Sequence, residues 1–194
     1  NKGDIKMSKI LVETSARHVH LSQEAIDTLF GKGYTLTNKK DLSQPGQFAC
    51  EEKVEVIGPK GSLKMSILGP ARPASQVELS LTDARSLGIT APVRESGDVK
   101  GSGACKLVGP CGEVELDHGV MVAMRHVHLN DEQAAEAGVK DGEIVSIKIE
   151  GERGLVFDNV LVRAGAKHFA EVHLDTDEGN AAGCGPDAVC TILK

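Results

Sequence analysis

Two stretches of the chain alternate apolar and polar residues with the period of a β-strand. They are KVEVIG at 53–58 and EIVSIKIEG at 143–151. Alternation of this kind is typical of a strand with one buried face. Two further apolar stretches, ILVETSARHVHLS and GVMVAMRHVHLN, predict strands that run into one repeated pentapeptide, RHVHL, at 17–21 and 125–129.

A helical pattern follows each copy of the pentapeptide. The first copy leads into SQEAIDTLFGKG and the second into NDEQAAEAGVKDG. Each stretch opens with Ser or Asn, which cap helix N-termini, and ends near Gly, which commonly ends a helix. The pattern therefore predicts a short helix after each pentapeptide.

A third similarity lies further along the chain. VELSLTDARSLG at 77–88 aligns without a gap with VHLDTDEGNAAG at 172–183. This alignment places Glu78 on His173. Together with the shared order of elements, it indicates an internal duplication.

The duplication predicts two similar domains, 8–93 and 116–194, joined by a Gly- and Ser-rich linker at 94–115. Each half contains several short strands, Gly and Pro turns, and one or two short helices. This pattern favours a mainly β fold made of two small β-barrels, each capped by short α-helices, over a doubly wound sheet.

Composition and charge exclude several function classes. The chain has 194 residues, a formal net charge of −6 and 3% aromatic residues. An acidic balance argues against a general nucleic-acid or anionic-membrane surface, and scarce aromatics argue against base stacking. The sequence has no apolar run of membrane-spanning length, no P-loop, and no G-x-G-x-x-G after a strand.

The start of the chain and its cysteines predict a cellular location. NKGDIKMSKI is polar, so we expect no secretory signal. The five cysteines are odd in number and form no C-x-x-C pair. A disulfide framework is therefore not expected, and a reduced cytoplasmic interior is.

The pentapeptide carries the candidate chemistry. The chain has seven histidines, and its two copies hold four of them: His18, His20, His126 and His128. Residues i and i+2 of a strand point the same way, so each His-x-His can chelate Zn²⁺ or a similar divalent ion.

The repeat alignment supplies a third ligand for each pair. It gives Glu78 to His18 and His20, and His173 to the second pair. Three protein ligands with an open position are typical of a catalytic rather than a structural zinc site. His118 and His168 match no repeat position, so we expect ordinary surface histidines there.

Arg72 is the candidate anion-binding residue. In LGPARPASQ it lies between two prolines, in a rigid loop that suits bidentate capture of a phosphate or carboxylate. Arg163 is its nearest counterpart in the second half. Taken singly, each arginine would more often be a surface ion-pair partner.

Several motifs together resemble one known family. They are SARHVHLS, DLSQPGQFACEEKV, LGPARPASQVELSLTDARSLGI, APVRESGD, MRHVHLN and EVHLDTDEGNAAG. Over about residues 9–193 they resemble the phosphate propanoyltransferases, the phosphotransacylases of bacterial microcompartments and some fermentative bacteria. The resemblance implies two β-barrel domains with a dinuclear zinc site where they meet, and interconversion of acyl-CoA and phosphate with acyl phosphate and CoA.

The resemblance also implies roles for residues at matching positions. One zinc would be held by His18, His20 and Glu78, and the other by His126, His128 and His173. Arg72 would bind phosphate as the catalytic arginine. The residues lining the site would be Gln44, Gln76, Ser96 and Arg163. Some members are expected to have Glu at the position of Gln47, so Gln47 is left out of the ligand set.

The implied partners are acyl-CoA or CoA and phosphate. The resemblance adds microcompartment shell or core proteins and propanediol degradation, in the cytoplasm or a microcompartment lumen. Targeted members carry an amphipathic N-terminal extension, so a start of about ten polar residues indicates a removed extension or a free cytoplasmic member. Whether the chain forms a homo-oligomer stays open. The choice between acetyl-CoA and propanoyl-CoA also stays open, because one methylene in a binding pocket contributes only about 1–3 kcal/mol.

Three rival functions stay open. A metal-dependent acyl-CoA thioesterase-like hydrolase, with Glu171 as general base, would release CoA without phosphate. A cupin-like iron oxygenase also uses His-x-His, but it expects a carboxylate a few residues downstream, whereas Glu78 is far from His20. A metal-stabilised scaffold would show closed sites and no turnover, since duplication alone could copy a structural pentapeptide.

Overall fold

The computed structural model describes residues 8–193, and the polar segment 1–7 lies outside the described residues. Within 8–193 the chain forms fourteen strands and four short helices. The strands are β1 (Ser8–Ser15), β2 (His18–His20), β3 (Asn38–Asp41), β4 (Phe48–Gly58), β5 (Gly61–Gly69), β6 (Gln76–Glu78), β7 (Val93–Arg94), β8 (Gly103–Val108), β9 (Glu113–Ala123), β10 (His126–Leu129), β11 (Ile144–Ile149), β12 (Leu155–Ala164), β13 (Glu171–Asp175) and β14 (Val189–Leu193). The helices are α1 (Gln23–Phe30), α2 (Leu81–Leu87), α3 (Asp131–Ala137) and α4 (Thr176–Ala182).

The strands form two closed barrels in two compact units. The first barrel belongs to Ala16–Ala123 and has the strand order β4-β5-β2-β6-β9-β8, with β8 returning to β4. The second belongs to Ser8–Ser15 together with residues 124–193 and has the order β1-β13-β10-β12-β11-β14. The predicted mainly β fold of two small barrels with short helices is confirmed.

The strand that leads into each pentapeptide closes the barrel of the other repeat. β1 pairs with β13 in parallel and with β14 in antiparallel fashion. β9, its counterpart before the second pentapeptide, pairs in the same two ways with β6 and β8. The compact units therefore follow boundaries different from those of the sequence repeat. Residues 103–108, expected within a linker, form β8 of the first barrel. The repeat boundaries 8–93 and 116–194 stay a prediction.

Small aliphatic side chains fill both barrels. Val19 and Val127, the central residues of the two pentapeptides, are fully buried in the cores of their barrels. Burying a side chain of this kind contributes about 1.5–3 kcal/mol. The pentapeptide thus anchors itself through its valine, and its two histidines keep a common side of the strand.

Capping residues mark the ends of the helices. Ser22 accepts a hydrogen bond from the backbone of α1, and Asn130 does the same for α3 within a capping box. The two helices predicted after the pentapeptides are confirmed. α2 and α4 each end at a glycine in the left-handed conformation, Gly88 and Gly183.

All five cysteines are free thiols. Cys50, Cys105 and Cys190 are buried, whereas Cys111 is exposed. In the part of the chain that the structure covers, no helix is both long and apolar enough to cross a membrane.

Candidate active site

The first barrel brings together His18, His20 and Glu78. His18 lies directly opposite Glu78 in the antiparallel pairing of β2 with β6. Its Nε2 is 3.3 Å from Glu78 Oε2, and the His20 Nε2 is 3.8 Å from Glu78 Oε1. One donor atom from each residue lies within 4.8 Å of the other two, close enough to surround one metal ion. We call these residues the first triad.

A backbone hydrogen bond sets the ring orientation of His18. Its Nδ1 is 2.9 Å from the carbonyl oxygen of Ala16. A carbonyl can only accept, so Nδ1 carries the proton and Nε2 faces Glu78. Ala16 lies in the short break between β1 and β2, directly before the pentapeptide.

The second barrel repeats the arrangement with His126, His128 and His173, the second triad. His126 lies opposite His173 in the pairing of β10 with β13. Its Nδ1 is 3.0 Å from the Met124 carbonyl oxygen, and its Nε2 is 3.1 Å from the Nε2 of His128. The three rings again offer donor atoms within 4.8 Å of one another.

Each third donor is hydrogen-bonded to the residue two positions before it. Gln76 Nε2 donates to Glu78 Oε1 at 2.5 Å, and Ser96 Oγ donates to the same oxygen at 2.7 Å. In the second barrel, Glu171 Oε1 is 2.7 Å from His173 Nε2. Glu13, on β1, also faces His173 and forms a further acidic group with Glu171.

Charge and burial act together on the first triad. Burial alone would lower the pKa of His18, but the adjacent Glu78 carboxylate raises it above its ordinary value. Burial, together with the positive charges of His18 and Arg72, lowers the pKa of His20 to about 3. Burial opposes ionisation of Glu78, yet His18 holds its pKa well below its usual range. Near neutral pH, His20 is therefore a neutral donor beside an ionised carboxylate.

Burial and charge also act on His128 of the second triad. Burial, together with the positive charges of the nearby histidines and Arg163, lowers the pKa of His128 to about 2. The buried Nδ1 of His128 has no hydrogen-bond partner within residues 8–193. A neutral imidazole is the form that binds a metal ion.

His168 lies against the second triad, so the expectation of an ordinary surface histidine was wrong. Its ring centroid is 4.6 Å from that of His128, and the residue is half-buried. His168 precedes the aligned segment 172–183, so the repeat offered no counterpart that would point to it. His118, in contrast, is exposed beside Asp117, as expected of a surface histidine.

The arginine of each pentapeptide forms an ion pair with a helix. Arg17 Nη1 is 2.6 Å from Asp83 Oδ1 of α2, and Arg125 Nε is 2.5 Å from Glu178 Oε2 of α4. Asp83 and Glu178 occupy the same position in the repeat, three residues after the helix N-cap. The pairs therefore fasten each His-x-His strand to the helix that follows its third donor.

The comparisons with known proteins agree on one family. The family model for phosphate propanoyltransferase matches residues 11–185. The phosphate propanoyltransferase of Clostridioides difficile is 50% identical over 190 residues, covering 97% of this chain and 91% of that protein. The chain belongs to the phosphate propanoyltransferase family. The Enterococcus faecalis member is 51% identical over 184 residues (94% and 87% covered), and that of Thermotoga maritima is 49% identical over 175 (89% and 83%).

The lining residues implied by the family resemblance lie at different places. Gln76 and Ser96 contact Glu78, as described above. Arg72 is half-buried in the loop after β5. Its backbone N donates to the Leu21 carbonyl at 2.9 Å, and its positive charge opposes protonation of both histidines of the first triad. Arg163 lies opposite His128 in the pairing of β10 with β12.

Gln44 lies in the loop before β4 and is 6% exposed. Neither polar atom of its side chain has a hydrogen-bond partner in the described part of the chain, so it takes no part in the network around Glu78. Glu171, expected from the sequence only as the general base of a rival hydrolase, lies beside the third donor of the second triad. Its alignment with Gln76 was the available signal for its place beside the third donor.

Proposed function

We propose that this family member interconverts acyl-CoA and phosphate with acyl phosphate and CoA, using propanoyl-CoA or acetyl-CoA. The observation that carries the proposal is the pair of equivalent triads, each built from His-x-His on one strand and a third donor on its antiparallel neighbour. The relatives named for phosphate propanoyl transfer support the same reaction class.

We infer that each triad holds one divalent cation, and that the cation is Zn²⁺. The donor chemistry fits: imidazole nitrogen and carboxylate oxygen are zinc ligands, and three of them leave a coordination position open. The carbonyls of Ala16 and Met124 occupy the Nδ1 atoms of His18 and His126, which leaves Nε2 for the ion. The second-triad Nε2 atoms of His126 and His128, 3.1 Å apart, have the spacing of two ligands on one centre.

The reaction needs charge control more than a protein nucleophile. A phosphate oxygen attacks the thioester carbonyl, the C–S bond breaks, and the proton lost by the phosphate ends on the CoA sulfur. A bound Zn²⁺ supplies a Lewis acid that stabilises the developing oxyanion or thiolate charge. Because phosphate is itself an adequate nucleophile, no acyl-cysteine intermediate is required.

Arg72 is proposed to bind and orient the phosphate. The hydrogen bond from its backbone N to Leu21 ties its loop to the residue that follows β2, the strand of His18 and His20. A guanidinium offers two parallel donors to phosphate, which fixes the direction of the attacking oxygen. Positioning of this kind turns an encounter between two anionic substrates into a reaction within one complex.

The remaining lining residues have proposed secondary roles. Arg163, beside His128, would add a second positive charge for the anionic substrates. Ser96 and Gln44 would line the substrate space, and the two unpartnered amide atoms of Gln44 are available to a ligand. On the family resemblance alone, we also propose that the protein acts in the cytoplasm or in a microcompartment lumen and takes part in propanediol degradation.

Release of CoA with and without phosphate tests the reaction. Protein of measured metal content would be given propanoyl-CoA and acetyl-CoA in turn, and free thiol would be followed over time. We expect CoA release to require phosphate and acyl phosphate to form in equal amount. Equal release without phosphate would make the chain a thioesterase-like hydrolase, and no release in either case would favour a scaffold.

A further inference from the structure

The residue two positions before each third donor is buried and bonded to it. In the first barrel this residue is Gln76, which is 1% exposed and donates to Glu78. In the second barrel it is Glu171, which is 2% exposed and accepts from His173. Both stand at the same register position, opposite the second histidine of the pentapeptide.

The amide of Gln76 is fixed at both ends. Its Nε2 also donates to Ser96 Oγ at 3.0 Å, and its Oε1 accepts from the backbone N of Gly97 at 2.8 Å. The acceptor end is thus held by Gly97, so the donor end faces Glu78. Buried polar side chains with all their partners in place are rigid supports for the groups they contact.

The direction of the hydrogen bond is reversed between the barrels. A neutral amide donates to a carboxylate in the first barrel, and an imidazole N–H contacts a carboxylate in the second. An amide donor at position 76 therefore suits the Glu78 carboxylate, and a carboxylate acceptor at position 171 suits the His173 imidazole. A Glu at position 76 would set two carboxylates side by side, which like charges disfavour.

We infer that Gln76 and Glu171 are positioning residues that fix which atom each third donor presents to the metal ion. Gln76 holds Oε1 of Glu78 and leaves Oε2 toward His18. Glu171 holds the proton on Nε2 of His173 and leaves Nδ1 as the donor. This inference rests on the proposed function, because it says how the two metal sites of that proposal are built.

The test uses the full chain loaded with Co²⁺, whose absorption bands report the donors around each ion. Gln76→Leu and Glu171→Leu remove the supporting bond, and Glu171→Gln keeps an acceptor but loses the charge. Glu136→Gln, an exposed carboxylate on α3, is the matched control. We expect each Leu variant to bind one of the two ions about 10–100-fold more weakly in chelator competition. The absorption bands of that ion should also shift. Glu171→Gln should lose less affinity for its ion, and the Glu136→Gln control should lose none.

A pair of exchange variants separates positioning from mere structural support. Gln76→Glu alone should lose the ion of the first barrel. Gln76→Glu combined with Glu78→His copies the second barrel and should regain that ion, with bands like those of the second site. A structural role alone would give no such rescue, and failure of the double variant to regain the ion would count against the inference.

The outcomes distinguish this inference from the function on which it rests. Wild-type affinity and bands in both Leu variants, with two ions bound by the unchanged chain, would overturn the inference and leave the proposed function intact. An unchanged chain that binds no divalent ion would overturn the inference together with the metal sites of the proposed function. If a Leu variant does not fold, the exchange variants decide.

Discussion

The two barrels share one strand arrangement but place their buried carboxylate differently. In the first barrel the carboxylate of Glu78 is itself a member of the triad. In the second barrel His173 takes that place, and the carboxylate of Glu171 lies beside it. The strand register that brings the donors together is the same in both barrels. The barrels therefore share this geometry, whereas the third donor and the residue two positions before it differ together as a matched pair.

The arginine pairs show the part of the arrangement that did not change. Arg17 with Asp83 and Arg125 with Glu178 join the same two elements in each barrel. A repeated contact that survives a change in the donors beside it points to fastening of strand to helix rather than to a role in chemistry. The comparison thus separates residues that support the triads from residues that define their chemistry.

The largest expected effect comes from removing a donor in either barrel. His20→Ala and His128→Ala should each lower kcat by at least about a thousandfold, since a Lewis acid contributes several kcal/mol and each 1.36 kcal/mol is a factor of ten. Steady-state CoA release from propanoyl-CoA measures this. His118→Ala, at an exposed histidine, should keep wild-type activity. Full activity in either donor variant would restrict the chemistry to one barrel.

The arginines near the triads should differ in their effects. Arg72→Ala should raise KM for phosphate and lower kcat, by about a hundredfold in kcat/KM, because hydrogen bonds to charged groups contribute about 1.5–3 kcal/mol. Arg163→Ala should cost less, and Arg72→Lys should fall between Arg72→Ala and wild type. Initial rates over a phosphate series give both constants. Unchanged kinetics of Arg72→Ala would remove that residue from the site.

Acid should destabilise the first barrel of metal-stripped protein more than the second between about pH 6.5 and 4.5. His20 and His128, with pKa values lowered to about 3 and about 2, contribute stability above their ordinary pKa of 6.5 that is lost as pH falls. His18, with a raised pKa, already has its full contribution at pH 6.5, so it does not offset the loss from His20 below that pH. Glu78, with a lowered pKa, keeps its contribution until pH falls below 4.5.

His20 and His128 should each cost their barrel about 1.4 kcal/mol per pH unit between about pH 6.5 and 4.5. Burial raises the pKa values of Asp175 and Glu178, which gain stability as pH falls, so the second barrel should lose less than the first. Hydrogen exchange followed by mass spectrometry, on peptides from each barrel, measures the two openings separately. A larger loss in the second barrel would contradict the balance of charges described for these groups.

The two arginine ion pairs should differ modestly in stability. Arg125→Ala should cost about 2 kcal/mol and Arg17→Ala about 1, because Arg125 is the less exposed and also lies over the ring of Phe157. Urea unfolding of each variant measures the difference. A greater loss from Arg17→Ala would mean that side-chain exposure does not govern these pairs.

The smallest expected effect is at the cysteines. Burial raises the pKa of Cys50 to about 11 and that of Cys105 to about 12, which makes both poor nucleophiles at neutral pH. Cys111→Ala and Cys184→Ala should likewise keep nearly full phosphate-dependent activity. Loss of turnover in any single cysteine variant that folds would indicate an acyl-cysteine intermediate.

Local patterns predicted the triads better than the barrels. The two-residue period of a strand put His18 and His20 on one side, and the gapless alignment found Glu78 and His173. The exchange of β1 and β9 between barrels could not be predicted, because strand pairing depends on contacts far apart in sequence. The place of His168 could not be predicted, because it lies in a loop outside the aligned segment 172–183.

Metal content tests the central claim most directly, namely that each barrel holds one ion in its triad. Elemental analysis would compare the wild-type chain with His20→Ala and His128→Ala after the same exposure to Zn²⁺ and the same desalting. We predict about two equivalents in the wild type and about one in each variant, since each triad has the donors for one ion. No bound metal in the wild type, or no loss in a variant, would contradict the account.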